Sequence, residues 1–225
     1  IYEPAQLELD NKVETILRNK KIKYKLFKGN VLNEYSSITK NDGTPFKVFS
    51  PFWRHAEQIY LDKVPPKENK IKKLNKKLSI FNSKNKPKDL LPKYDWYKKF
   101  ENYWNVSEKD SHNELQNFLK ERILKYSNDR DFPSLNGSSK LSPYIRNGQL
   151  NVNKIWKSCL SIKNKNIGVR KYLNELGWRE FSHSLINYFP EMLKGNLRKE
   201  FDKFPWDKNN KFLNAWKKGM TGYPI

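Results

Sequence analysis

The sequence predicts an α/β unit at the N-terminus, a long basic connector, and an all-α domain beyond it. Three observations lead there. The hydrophobic period changes along the chain, from mixed helical and alternating runs in residues 1–62 to helical runs alone in residues 111–225. Residues 63–110 between them are rich in Lys, Asn and Pro and keep no period. Aromatic residues make up 14% of the 225, with seven tryptophans, which is enough apolar mass for a packed core.

In the first part, Leu9, Val13, Ile16 and Leu17 fall at i, i+4, i+7 and i+8 and predict an amphipathic helix. "IKYKLFK" (22–28) alternates apolar and basic residues as a strand does, and "FKVFS" (46–50) reads as a second short strand. Ser50-Pro51 then supplies the cap and first turn of a helix carrying Phe52, Trp53 and Ile59. The connector reads as a linker laid over the surface and pinned by Leu90, Leu91, Trp96, Phe100 and Trp104. In the last part, Leu115, Phe118, Leu119, Ile123 and Tyr126 make one helical stripe. "NVNKIWKSCL" and "NKFLNAWKKG" predict two short helices, and "VRKYLNELGWREFSHSLINYF" predicts the longest helix of the chain.

The formal net charge is +21, from 45 Lys and Arg against 24 Asp and Glu. Such an excess repels itself in a compact state and suits a polyanionic partner, although a general lysine bias produces the same excess. The charge is uneven: ten basic against eight acidic residues before residue 63, fourteen against six in the connector, twenty-one against ten after it. One cysteine, Cys159, excludes an internal disulfide, and three scattered histidines make no metal-ligand spacing. No run approaches the ~20 apolar residues of a membrane span, no secretory leader is visible, and a cytoplasmic protein is expected. The chain starts at Ile1 and stops at "TGYPI", so an internal piece of a longer protein is expected.

Two places carry more than fold. On the long helix, Glu175, Trp178, Arg179 and Ser182 are spaced i, i+3, i+4 and i+7. Taken alone, they read first as a salt-bridged, half-buried face. The alternative is a recognition surface, with an indole plate for a base, a guanidinium for a phosphate and a carboxylate for a base edge. The second place is "YSNDRDFPSLNGSSKLSPYIRNG" (126–148), where Ser138, Ser139, Lys140 and Ser142 gather where a helix should start. Hydroxyls, backbone N–H groups and an ammonium suit a phosphate or diphosphate there, and an ordinary capped helix start fits the same residues.

Together with "KVFSPFWR" (47–54), "YLNELGWREFSHSLINYFP" (172–190) and "AWKKGMTGYPI" (215–225), that passage resembles the photolyase/cryptochrome family, most nearly its bacterial class I cyclobutane pyrimidine dimer photolyases. The resemblance implies the end of a Rossmann-like domain in 1–62, an interdomain linker in 63–110, and in 111–225 the first part of a helical domain that holds FAD and DNA. It implies deoxyribodipyrimidine photo-lyase activity, in which light drives electron transfer from reduced FAD into a dimer flipped out of the duplex. A fragment holding one wall of the FAD cavity is expected to be inactive alone, and the full-length protein to be a monomer. By motif position, Tyr126, Ser138, Ser139, Lys140, Leu141, Ser142 and Tyr172 look like FAD contacts. Arg130 looks like a DNA-backbone contact, Glu175 and Trp178 like the dimer-pocket carboxylate and stacking indole, and Arg179 and Ser182 like part of the same DNA-facing run. Trp206 resembles the outermost tryptophan of the chain that photoreduces the flavin. Two positions depart from the family pattern. Lys140 stands where arginine is frequent, and Ala5-Gln6 replaces an Asn-Glu pair that holds a folate antenna in some members. A second chromophore therefore has room in the reading but no identity. A cryptochrome and a flavin-free basic helical module that binds nucleic acid are the competing expectations.

Overall fold

A computed structural model of the chain describes residues 3–26, 29–61, 92–163 and 166–223. The predicted helices form where local signals put them. Helix α1 spans Pro4–Asn19, with proline in the first turn, where a missing N–H costs no intrahelical bond. Its stripe of Leu9, Val13 and Ile16 faces outward, each about half exposed. Helix α2 spans Phe49–Leu61.

The two predicted strands do not form. Ile22–Leu26 has no ladder, Phe27 and Lys28 lie outside the described residues, and Phe49 and Ser50 are already helical. Alternation makes a strand only where a neighbouring edge takes up the backbone hydrogen bonds, and no such edge occurs among the described residues. Of the α/β unit expected in the N-terminal part, the described residues form helix and loop. Of the expected linker pins, Leu90 and Leu91 lie outside the described residues. Trp96 and Phe100, in a 3₁₀ turn at Asp95–Asn102, point to solvent. Trp104 does pack, edge-on to Tyr144 at 6.1 Å, and the Tyr144 hydroxyl donates to the Asn105 carbonyl at 2.8 Å.

Helix α3 spans Glu108–Asn117 and is capped by Ser107, whose Oγ accepts from the Asp110 N–H at 3.0 Å. A π turn over Phe118–Arg122 and a 3₁₀ turn over Ile123–Lys125 lead into the short α4, Tyr126–Asp129. The π turn accounts for a spacing that a regular helix would not tolerate. Phe118 and Ile123 are five apart, yet both are fully buried, because the wider turn carries Ile123 back onto the core face. Helix α5 is Ser142–Arg146, and α6, Val152–Leu160, starts at the Asn151 cap. Helix α7 runs Ile167–Tyr188 and begins at Asn166, whose side chain accepts from the Gly168 and Val169 N–H groups. Helix α8 is Asn210–Lys217.

The core forms around α7. Phe52, Trp53 and Ala56 of α2, Leu115 and Phe118, Tyr126, Leu141, Ile155 and Trp156, and Val169, Tyr172, Leu176 and Phe181 of α7 share one buried cluster. Trp53 ties α2 to α7: its Nε1 donates to Asn174 Oδ1 at 2.8 Å, and its ring lies flat against Gly177. Among the described residues, nothing beyond Pro190 is buried. Phe212, Trp216, Met220 and Tyr223 present apolar surface to solvent.

Candidate functional site

The 126–142 passage and α7, about 40 residues apart in sequence, meet side by side. The Tyr126 ring stands edge-on to Tyr172 at 5.1 Å and to Phe118 at 5.8 Å. The Tyr172 hydroxyl is hydrogen-bonded with Ser139, and burial pushes the pKa of both tyrosines up, so both stay neutral phenols. The loop between them folds back on α4. At Gly137 a Cβ would fall within 2.7 Å of three atoms of Asp129, so only glycine fits. Lys140 adopts φ +54°, a left-handed turn that costs a non-glycine residue about 1–2 kcal/mol. This turn drives Leu141 fully into the core and leaves Ser138, Lys140 and Ser142 outside.

Two expectations about this loop change. The residue before α5 is Leu141, with no side-chain cap, so the Ser-Ser-Lys cluster is a surface turn rather than a helix cap. Leu141 is buried whole, backbone included, and faces the core rather than the outer side of the turn.

Arg130, at the end of α4, pairs its Nη1 with Glu175 Oε1 of α7 and lays its guanidinium over the Tyr126 ring at 5.5 Å. Its Nε donates to Asp131 Oδ1 at 3.2 Å, and Lys171 Nζ sits 3.9 Å from Glu175. The hydrogen bond to Glu175 holds the Arg130 pKa above its ordinary value. The sequence pattern presents these two charges separately; the fold sets them against each other.

Trp178, one turn beyond Glu175, keeps 46% of its surface exposed while one indole face lies on Phe49, with centroids 3.7 Å apart and planes 9° from parallel. Arg179 does not join it. Its Nη2 donates to the Asn30 carbonyl at 2.6 Å and its Nη1 to Glu180 at 2.9 Å. Adjacent helical residues point about 100° apart, so the phosphate-clamp role expected of Arg179 gives way to an internal one. Arg179 and Ser142 instead line a cleft of about 300 Å³ with Glu3, Asn30, Arg146 and His183, in which Arg146 is paired with Glu3 at 2.8 Å. Ser182 is exposed and its hydroxyl donates to the Trp178 carbonyl on its own helix at 2.9 Å. Trp206 is 65% exposed, its ring 4.7 Å from Phe204, and among the described residues no ring contact joins it to the Tyr126–Tyr172 pair.

Sequence reasoning missed Glu180. It is 1% exposed on α7, accepts from the Leu32 N–H at 2.8 Å, from the Asn33 N–H and from Arg179, and so clamps the 30–33 segment to the helix. Burial pushes its pKa up from 4.5 to about 7. Between those values the folded state holds more protons than the unfolded chain, so this group's contribution is full below about pH 4.5 and is lost as pH rises to about 7. The stability of the wild type relative to Glu180→Gln is therefore expected to fall across that window, by on the order of 3 kcal/mol. Paired denaturant titrations of the two proteins from pH 4 to 8 measure this. His183, pushed down to about 4 by burial, titrates with the opposite sign but is common to both proteins. A difference that is flat with pH would remove the buried-carboxylate clamp from the account.

Among the described residues no cluster of His, Cys, Asp and Glu could hold a metal ion, and no helix is long and apolar enough to cross a membrane.

Two family models match the chain: one described as DNA photolyase over residues 1–73, and one described as the FAD binding domain of DNA photolyase over residues 172–225. The chain is 32% identical to a deoxyribodipyrimidine photo-lyase of Agrobacterium fabrum, over 100% of its own length and 47% of the relative's. Among solved structures it is similar to a bacterial class III photolyase from Agrobacterium tumefaciens, with TM-score 0.78 and 29% identity over 100% of this chain and 47% of that one. It shares its fold with a Synechocystis cryptochrome, with TM-score 0.73 and 19% identity over 99% of this chain and 47% of that one. The chain spans about half the length of the curated relatives it matches.

Proposed function

We propose that the chain is part of a photolyase/cryptochrome family protein and that its function is deoxyribodipyrimidine photo-lyase activity, the light-driven repair of cyclobutane pyrimidine dimers in DNA. One observation carries the reading. The loop and α7 are joined through Tyr126, Arg130 and Glu175, and Trp178 stands one turn away with an indole face open to solvent.

The residues present fit FAD. A tight turn exposes the hydroxyls of Ser138 and Ser142 and the Lys140 ammonium around a buried Leu141, a donor set suited to a diphosphate. Tyr126 and Tyr172 wall the turn with neutral phenols, and Ser139 links Tyr172 to it. Reduced FAD, when bound, supplies the light-excited electron that splits the dimer. The chain's own part is to hold and select. Trp178 offers a stacking plate worth ~1–3 kcal/mol to an unstacked base. Glu175, kept in place by Arg130, presents a carboxylate to the base edge. The exposed lysines attract the phosphate backbone irrespective of sequence.

Trp206, exposed and in tilted ring contact with Phe204, is the solvent end of an electron path to the flavin. Arg130 contacts the DNA backbone while keeping its pair with Glu175. Residues 1–62 are the end of a Rossmann-like domain, 63–110 an interdomain linker and 111–225 the first part of the helical FAD- and DNA-binding domain. The class I resemblance of the motifs is retained beside the likeness to a class III structure. The partner is damaged DNA in the cytoplasm, met by a monomer, with any second chromophore other than a folate held by an Asn-Glu pair.

The test uses the full-length protein. Its visible spectrum is expected to show flavin, and a thymine-dimer oligonucleotide is expected to be restored under blue light and not in the dark. A colourless protein that still binds DNA overturns the reading in favour of a basic helical module. Bound flavin without repair moves it to a cryptochrome.

A further inference from the structure

We propose that Phe49 is a positioning residue for lesion recognition. It fills one face of the Trp178 indole and fixes the other toward a base swung out of the duplex. The inference rests on the reading of Trp178 as the lesion plate. Its support is an aromatic ladder across α2 and α7. Trp53 is immobilised by its hydrogen bond to Asn174 and by Gly177 against its ring. Phe49 lies parallel to it, one helical turn back, at 6.2 Å and 10°. Trp178 then lies on Phe49 at 3.7 Å and 9°. An isolated ring pair prefers an offset or edge-on arrangement to a face-to-face sandwich, so the surroundings impose this one. Phe181 does so, standing edge-on to Phe49 at 5.9 Å and to Trp178 at 6.0 Å.

The consequence is chemical. A surface indole free to change rotamer loses that freedom when it stacks on a ligand, and the loss subtracts from affinity. An indole already held by Phe49 has met that cost on folding. It also has a single face left, so it takes one face of one extrahelical pyrimidine and cannot be sandwiched between two bases.

The experiment compares full-length wild type with Phe49→Tyr, Phe49→Leu, Trp178→Ala and the Phe49→Leu/Trp178→Ala double variant. Affinities are measured for a thymine-dimer duplex and for its undamaged counterpart, with melting temperature alongside. Phe49→Leu is expected to lower the ratio of the two affinities by about two- to tenfold, the worth of an aromatic pair. Phe49→Tyr, which keeps the flat ring, is expected to retain it. In the Trp178→Ala background Phe49→Leu is expected to change the ratio no further. If Trp178→Ala lowers the ratio and Phe49→Leu does not, the positioning role is wrong while the plate stands. If Trp178→Ala leaves the ratio unchanged, the plate itself is wrong. If Phe49→Leu lowers both affinities together with the melting temperature, Phe49 is a packing residue only. Phe49→Met, which also lacks a flat face, takes the place of the leucine variant should that one not fold.

Discussion

Trp178→Ala is expected to weaken binding of a dimer-containing duplex by ~1–3 kcal/mol while leaving undamaged-duplex binding nearly unchanged. The asymmetry follows from what is removed. An uncharged plate contributes only when a base leaves the stack to meet it, whereas undamaged duplex is held through phosphates whose cationic partners stay in place. The salt dependence of both affinities should therefore keep its slope. Stability must be followed at the same time, because the substitution also ends the stack on Phe49 and the edge contact to Phe181. With 46% of the residue exposed, the loss should be well below the ~3–5 kcal/mol of a buried tryptophan. Equal loss of both affinities with a large drop in melting temperature would return this stripe of α7 to an ordinary core role.

Gly177→Ala is expected to destabilise the protein by roughly 2 kcal/mol, although alanine is the better helix former by about 1 kcal/mol. The added methyl would fall within 2.7 Å of three atoms of the Trp53 ring. That ring cannot retreat: it is buried, bonded to Asn174, and met edge-on by Trp156 at 5.8 Å. Helix α2 must then move off α7, and it carries Phe49 with it. A shift of the denaturant midpoint should therefore come with a loss of lesion preference. Gly29→Ala is the control, since nothing lies within 4 Å of the position a Cβ would take there. If both variants behave alike, the close approach of α2 to α7 is not what Gly177 is for.

What could be read before the fold was known is what short-range physics sets. Helices α1, α2, α6, α7 and α8 stand where their periods put them, because a helix satisfies its backbone within itself. Helix α2 nevertheless begins at Phe49, ahead of the Ser50 expected to cap it. Asn151, Asn166 and Asn209 each bond the N–H groups two or three residues on. The grouping of candidate ligand residues in 126–142 and on α7 was equally plain, as was the aromatic supply of the core.

The tertiary structure alone decided which of those residues face one another. The alternating run at 22–26 has no strand because pairing needs an edge from elsewhere in the chain. Arg130 and Glu175 became partners, and Arg179 turned to Asn30, 149 residues away, beside a buried carboxylate that local pattern gives no reason to expect. Phe49 came to lie under Trp178 because α2 crosses α7 at Gly177. A helix fixes the direction of its side chains every 100°, but what each one meets there depends on burial and charge pairing between segments that are distant in sequence.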